Sequence, residues 1–148
     1  MPTQNYEHVR MILRSQSGYN ETNFCTVVSI ATAFNWSAGK AHRLLAKHGR
    51  QHRKGPSWSI YTRALREACA KEGRHLQLSE AYNGMTIGRF AKEHPTGTWI
   101  IAVKGHVICL KDGVFQDWTA DTAGRRKIGY RAGMEGATKG NFGVARIG

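Results

Sequence analysis

Cys25, His106 and Asp117 carry the side chains of a nucleophilic acyl-transfer site. The last two lie on either arm of a hairpin signalled by Asp112-Gly113, a pair suited to a tight turn with positive φ. A two-residue turn there sets Lys111 opposite Val114, Leu110 opposite Phe115 and Ile108 opposite Asp117. Side chains alternate along a strand, so His106 and Ile108 share a face with Asp117. Asp117 is then diagonal to His106, at roughly 7–8 Å or somewhat less between Cβ atoms. One hydrogen bond closes that gap, fixes the ring tautomer and stabilises the imidazolium.

Cys25 opens the run to Phe34, which is almost continuously apolar and holds the small residues Ser29, Ala31 and Ala33. Its length and composition predict a buried helix, with Asn23 as its N-cap. A thiol in the first turn sits at the positive end of the helix dipole beside unpaired backbone N–H groups, and both favour the thiolate. A thiolate paired with an imidazolium attacks an acyl carbonyl, and the same ring then protonates the leaving group. The free N–H groups, with a nearby amide side chain, hold the oxyanion. Taken singly, a cysteine or a strand histidine is more often a packing residue. Their combination with Asp117 is what points to a site. Cys69 and Cys109 read as packing, and Cys109 projects away from the His106 face.

These residues need elements to hold them. Residues 5–14 read as an amphipathic helix with Val9, Ile12 and Leu13 on one side, followed by a polar loop from Ser15 to Phe24. After the Cys25 helix, Ser37 caps a helix that ends at Gly49, and Ser57 or Ser59 caps another that stops at Gly73. Residues 75–78 read as a short strand, and Thr86 caps a short helix ending before Pro95. Strands follow at Thr98–Val103, His106–Leu110 and Val114–Trp118, with weaker ones near 128–131 and 142–147. Helices followed by strands predict an α+β domain, a helical half packed on an antiparallel sheet.

Composition bounds the rest. The chain has 148 residues, enough for one domain, and 41% are hydrophobic. No apolar run approaches the length of a spanning helix, and Met1 to Tyr6 has no signal-peptide pattern, so a cytoplasmic location is expected. Three widely spaced cysteines do not make a disulfide framework, which favours a reducing compartment. There is no Cys-x-x-Cys, and Gly49 interrupts the His48/His52 pair, so neither a metal nor another cofactor is expected. The 22 Lys and Arg against 10 Asp and Glu give +12. Lys40, Arg43, Lys47, Arg50, Arg53 and Lys54 form one basic cluster, and Arg125, Arg126 and Lys127 begin a second. Both read as polyanion-binding candidates, for nucleic acid or an acidic protein, beside the simpler reading of a solvated basic face. Trp36, Trp58, Trp99 and Trp118 read mainly as core, with Trp118 placed to shield a His106–Asp117 pair.

The order of these features resembles a papain-like cysteine peptidase of the short type found among bacterial and phage proteins. The matching segments are Asn23-Phe24-Cys25 opening an apolar helix, Phe90 to Trp99 leading into a strand, Gly105-His106 in an apolar strand, then Asp112-Gly113 and Asp117. The likeness spans about residues 19–118 and leaves the basic tail outside. It implies a helical lobe on an antiparallel sheet with the site between them. It also implies Cys25 as nucleophile, His106 as general base and acid, Asp117 as orienting residue, and a peptide or protein substrate in a host cytoplasm or virion. Such enzymes place an oxyanion glutamine six residues before the cysteine, where this chain has Tyr19. Asn20, Asn23 or Gln16 are the neighbouring amides for that role. The departure leaves open an inactive relative, or amidase or transglutaminase chemistry. The alternative function is a non-enzymatic basic protein that binds nucleic acid or an acidic partner.

Overall fold

The computed structural model describes residues 6–15, 19–118, 125–129 and 143–148. Its helices are α1 (Tyr6–Arg14), α2 (Cys25–Phe34), α3 (Ala38–Lys47), α4 (Trp58–Lys71) and α5 (Ile87–Glu93). Its strands are β1 (Leu76–Ser79), β2 (Thr98–Val103), β3 (His106–Lys111), β4 (Val114–Gln116) and β5 (Val144–Ile147). The strands form one sheet in the order β1-β5-β2-β3-β4, with every neighbouring pair antiparallel. The chain is therefore α+β, as expected.

Local chemistry explains the helix boundaries. Ser37, Ser57 and Thr86 each take an extended backbone and accept a hydrogen bond from the N–H three residues on. That satisfies one of the amides a helix start leaves unpaired. Asn35, with φ 56, ends α2 in the left-handed conformation that asparagine tolerates. α2 departs from expectation at its start: its N-cap is Phe24, with no side-chain cap, and Asn23 sits just outside in a left-handed turn at φ 51.

Nine of the ten residues of α2 are buried, because α1, α3 and α4 and the sheet surround it. It lies along β3 and runs the same way: Lys111 Nζ donates to the Thr32 carbonyl at 3.1 Å at one end, and Cys25 meets His106 at the other. This helical core covers the sheet face bearing Ile100, Ala102, Val107, Cys109, Ala145 and Ile147. The opposite face is also covered. Trp99, Ile101, Val103, Ile108, Leu110 and Val144 pack with Ile87 and Phe90 of α5 and with Ile128. Burial on both faces is why β2 is apolar along its whole length rather than alternating.

The end of the chain corrects the sequence reading. β5 is not a weak appendage beyond the core but a middle strand, paired to β1 on one side and β2 on the other. Arg74 fastens its end, donating to the Ile147 carbonyl at 2.9 Å. The strand expected near 128–131 is reduced to a single bridge between Thr86 and Lys127 within the described residues, and positions 130–131 lie outside them.

Candidate active site

The hairpin that carries His106 and Asp117 has the anticipated register. Lys111 faces Val114, Leu110 faces Phe115 and Cys109 faces Gln116. Asp112 (φ 48) and Gly113 (φ 79) both take the positive φ this turn requires, and Asp112 Oδ1 accepts the Gly97 N–H at 2.9 Å. β4 stops at Gln116, so Asp117 sits one residue past the ladder. Its carboxylate, almost fully buried, still reaches the ring: His106 Nε2 lies 2.9 Å from Oδ1 and 3.1 Å from Oδ2.

Strict alternation assigns His106 to the Ile108 face, whereas α2 covers the other. The ring reaches α2 because His106 is the first residue of β3, at the rim of the sheet after the Lys104-Gly105 turn. There it meets Trp118 edge-on at 5.3 Å between centroids, and Trp118 contacts Phe24 at 5.5 Å. Burial disfavours the charged ring. Hydrogen bonds that the ring donates to Asp117 and Cys25, and the charges of both, outweigh it and raise the His106 pKa from 6.5 to about 9. With Nε2 held by Asp117, Nδ1 is the nitrogen left for the Cys25 sulfur.

Cys25 is the first residue of α2 and is partly exposed, whereas Cys69 and Cys109 are buried. Burial pushes the Cys109 thiol up to about 11 and raises that of Cys69. α2 has no side-chain cap, so the amides of its first turn stay available beside the sulfur. Thr26 Oγ1, next in the chain and buried, has no hydrogen-bond partner among the described residues.

Of the proposed oxyanion side chains, those of Asn23 and Tyr19 are engaged elsewhere. The Asn23 amide nitrogen donates to the Arg53 carbonyl at 3.2 Å. The Tyr19 ring stacks near His42 at 4.7 Å, and a Cβ on Gly39 would meet its hydroxyl at 2.6 Å. Asn20 holds a left-handed turn, with its N–H on the Ser15 carbonyl at 2.8 Å. Gln16 lies outside the described residues.

The sequence reading missed what fixes this loop. Glu21, buried, accepts two hydrogen bonds from Arg50 at 2.8 and 3.1 Å and one from the Arg53 N–H at 2.8 Å, and sits 2.6 Å from His42 Nε2. Burial works against its ionisation, but Arg50, His42 and Arg53 win and lower its pKa from 4.5 to about 2. Arg50 also donates to the carbonyls of Thr22 and Asn23, tying down the segment that leads into Cys25. The only signal for this role was an acid in an otherwise uncharged polar loop.

Arg50 is thus a correction: it is buried in this network and offers nothing to a polyanion. Burying its planar guanidinium is tolerable because Glu21 takes it in a bidentate grip. Lys40, Arg43, Arg53 and Lys54 are exposed, and Lys47 is exposed but pairs with Glu67 at 2.9 Å. The second basic group lies elsewhere. Arg125 and Lys127 are exposed, and Arg126 reaches across to the Lys104 carbonyl at 2.6 Å. Among the described residues no helix is long and apolar enough to cross a membrane, and no three His, Cys, Asp or Glu side chains group as metal ligands.

No family model, curated protein or solved structure matches the chain, so the site is read from its own geometry.

Proposed function

We propose that this chain is a cysteine-dependent amide hydrolase of papain-like organisation, acting on a peptide or protein. The observation that carries the reading is the His106 ring, gripped by Asp117 on one nitrogen and facing Cys25 with the other. A ring with a pKa of about 9 keeps its proton at neutral pH and stabilises an adjacent thiolate. The sulfur attacks the substrate carbonyl carbon. Free amides at the start of α2 receive the oxyanion. Collapse breaks the C–N bond, His106 gives its proton to the departing amine, and a thioester remains. Water then attacks the thioester, His106 takes its proton, and Cys25 leaves as the thiolate. Asp117 touches no substrate: it holds the tautomer and the charge.

The test is site-resolved alkylation with iodoacetamide near pH 6.5, read by mass spectrometry. Cys25→Ala should abolish the fast reaction, while Cys69→Ala and Cys109→Ala should keep it. Equal fast labelling in all three variants would refute an activated Cys25.

The exposed Lys40, Arg43, Arg53 and Lys54 favour a second reading, a polyanion-binding protein. Its mark is salt dependence, with a slope of about −0.9 per phosphate contacted on duplex DNA. Absence of DNA or RNA binding at low salt removes it.

A further inference from the structure

We propose that this site selects acyl substrates carrying negative charge beside the scissile amide, an acidic peptide segment, and that Arg10 is a specificity-determining residue. The proposal rests on the hydrolase reading above and names its substrate class.

Arg10 is held beside the candidate site, and Arg53, Lys104 and Arg126 flank the segments that lead into it. The Arg10 guanidinium stacks over Trp118 at 5.1 Å, and Trp118 contacts both His106 and Phe24, the residue before Cys25. Arg53 borders the loop that enters α2, its carbonyl taking hydrogen bonds from Thr22 Oγ1 at 3.3 Å and Asn23 Nδ2 at 3.2 Å while its side chain stays exposed. The Lys104-Gly105 turn immediately precedes His106, and Arg126 is tethered to it.

Two of the nearby carboxylates are already paired with cations. Asp117 is held by His106, and Glu21 is buried against Arg50. Glu7, one turn before Arg10, accepts a hydrogen bond from the Tyr6 hydroxyl at 3.3 Å. Arg10 and Arg14 have no ion-pair partner among the described residues, and with Glu7, Ser15 and the exposed Met11 they line a groove along α1, two cations against one acid. A guanidinium stacked on an aromatic face loses less freedom when it binds a carboxylate than a free one does. A surface with a net excess of cations also raises the local concentration of an anionic ligand. Nucleic acid shares the charge of an acidic peptide but has no amide for the sulfur to attack.

The experiment uses the full chain and a pair of alkylating probes that differ in charge. Iodoacetate and iodoacetamide both form an S–C bond and expel iodide, but only the first is an anion. The ratio of their rates at Cys25, relative to the same ratio for glutathione, reads the local field. Because the ratio is internal to each variant, a general change in thiol reactivity cancels. The expected ratio is about fivefold above glutathione at low salt, falling toward it in 0.5 M sodium chloride. Arg10→Met should lower the ratio and Arg10→Lys should retain most of it. Poly-L-glutamate should protect Cys25 from iodoacetamide more than duplex DNA of equal charge does. A ratio unchanged in Arg10→Met, or protection by DNA alone, overturns the acidic-peptide assignment. A Cys25 no faster than glutathione toward neutral iodoacetamide sinks the hydrolase reading and this inference with it. A fast Cys25 with no preference for the anion sinks only the substrate class.

Discussion

Burial alone drives an imidazole to give up its proton, yet His106 holds its own to about pH 9, because Asp117 and Cys25 supply opposite charge and hydrogen bonds at close range. Asp117→Asn removes the largest single one of these supports, the hydrogen bond to the carboxylate. Its ring should titrate well below 9, measurable from the His106 ring resonances by NMR, and amide hydrolysis should fall by two orders of magnitude or so. In the wild-type chain hydrolysis should decline as pH rises through about 9, where the ring loses the proton destined for the leaving amine. Glu21 illustrates a different residue-level role. Glu21→Ala leaves Arg50 buried without its counter-charge, which should cost about 3–5 kcal/mol in urea denaturation. The acid network is a positioning device: it holds the backbone of Thr22 and Asn23, and so the entry to Cys25.

Among the elements, β5 has the most at stake, since both its neighbours depend on it for their ladders. Deleting residues 144–147 should abolish cooperative unfolding followed by circular dichroism, whereas Ser57→Ala should only lower stability by about 1 kcal/mol through loss of a helix cap. The contrast also marks what the sequence could reveal. Ser37, Thr86 and the Asp112-Gly113 turn act through local hydrogen bonds and φ preferences, so their elements were legible, and the hairpin register followed. The start of α2 was misread because Asn23 finds a stronger partner thirty residues away, in Arg53. β5 was undervalued because its pairing joins the chain end to residues 76–79 and 98–101, and no local pattern encodes that. Arg50 looked like one more surface cation because charge patterning cannot distinguish a guanidinium in water from one held by Glu21. The His106–Asp117 pairing was legible because it lies within one hairpin, while the approach of Cys25 depends on α2 running along β3.

At the scale of the whole molecule, two buried ion pairs bracket the pH at which the fold is most stable. The folded-state pKa of Glu21 is depressed from 4.5 to about 2, so its contribution is full above 4.5 and is lost as pH falls through about 2. His106 is raised from 6.5 to about 9, so its contribution, on the order of 3 kcal/mol, is full below 6.5 and is lost as pH rises through about 9. Urea midpoints should therefore peak between pH 4.5 and 6.5; a maximum above pH 8 would contradict the His106 assignment, and one below pH 3 would contradict that of Glu21. Under the proposed mechanism the same upper-side pair links stability to chemistry, since the proton that stabilises the folded chain is the one the leaving group would receive. The most direct measurement of that link is the second-order rate of iodoacetamide at Cys25 at pH 6.5, in the wild-type chain and in His106→Gln. A sulfur facing the imidazolium should react at least about tenfold faster than glutathione, which is about 1% ionised there, and His106→Gln should bring it down to the glutathione rate. Equal rates in the two chains, or a wild-type sulfur slower than glutathione, would contradict the account.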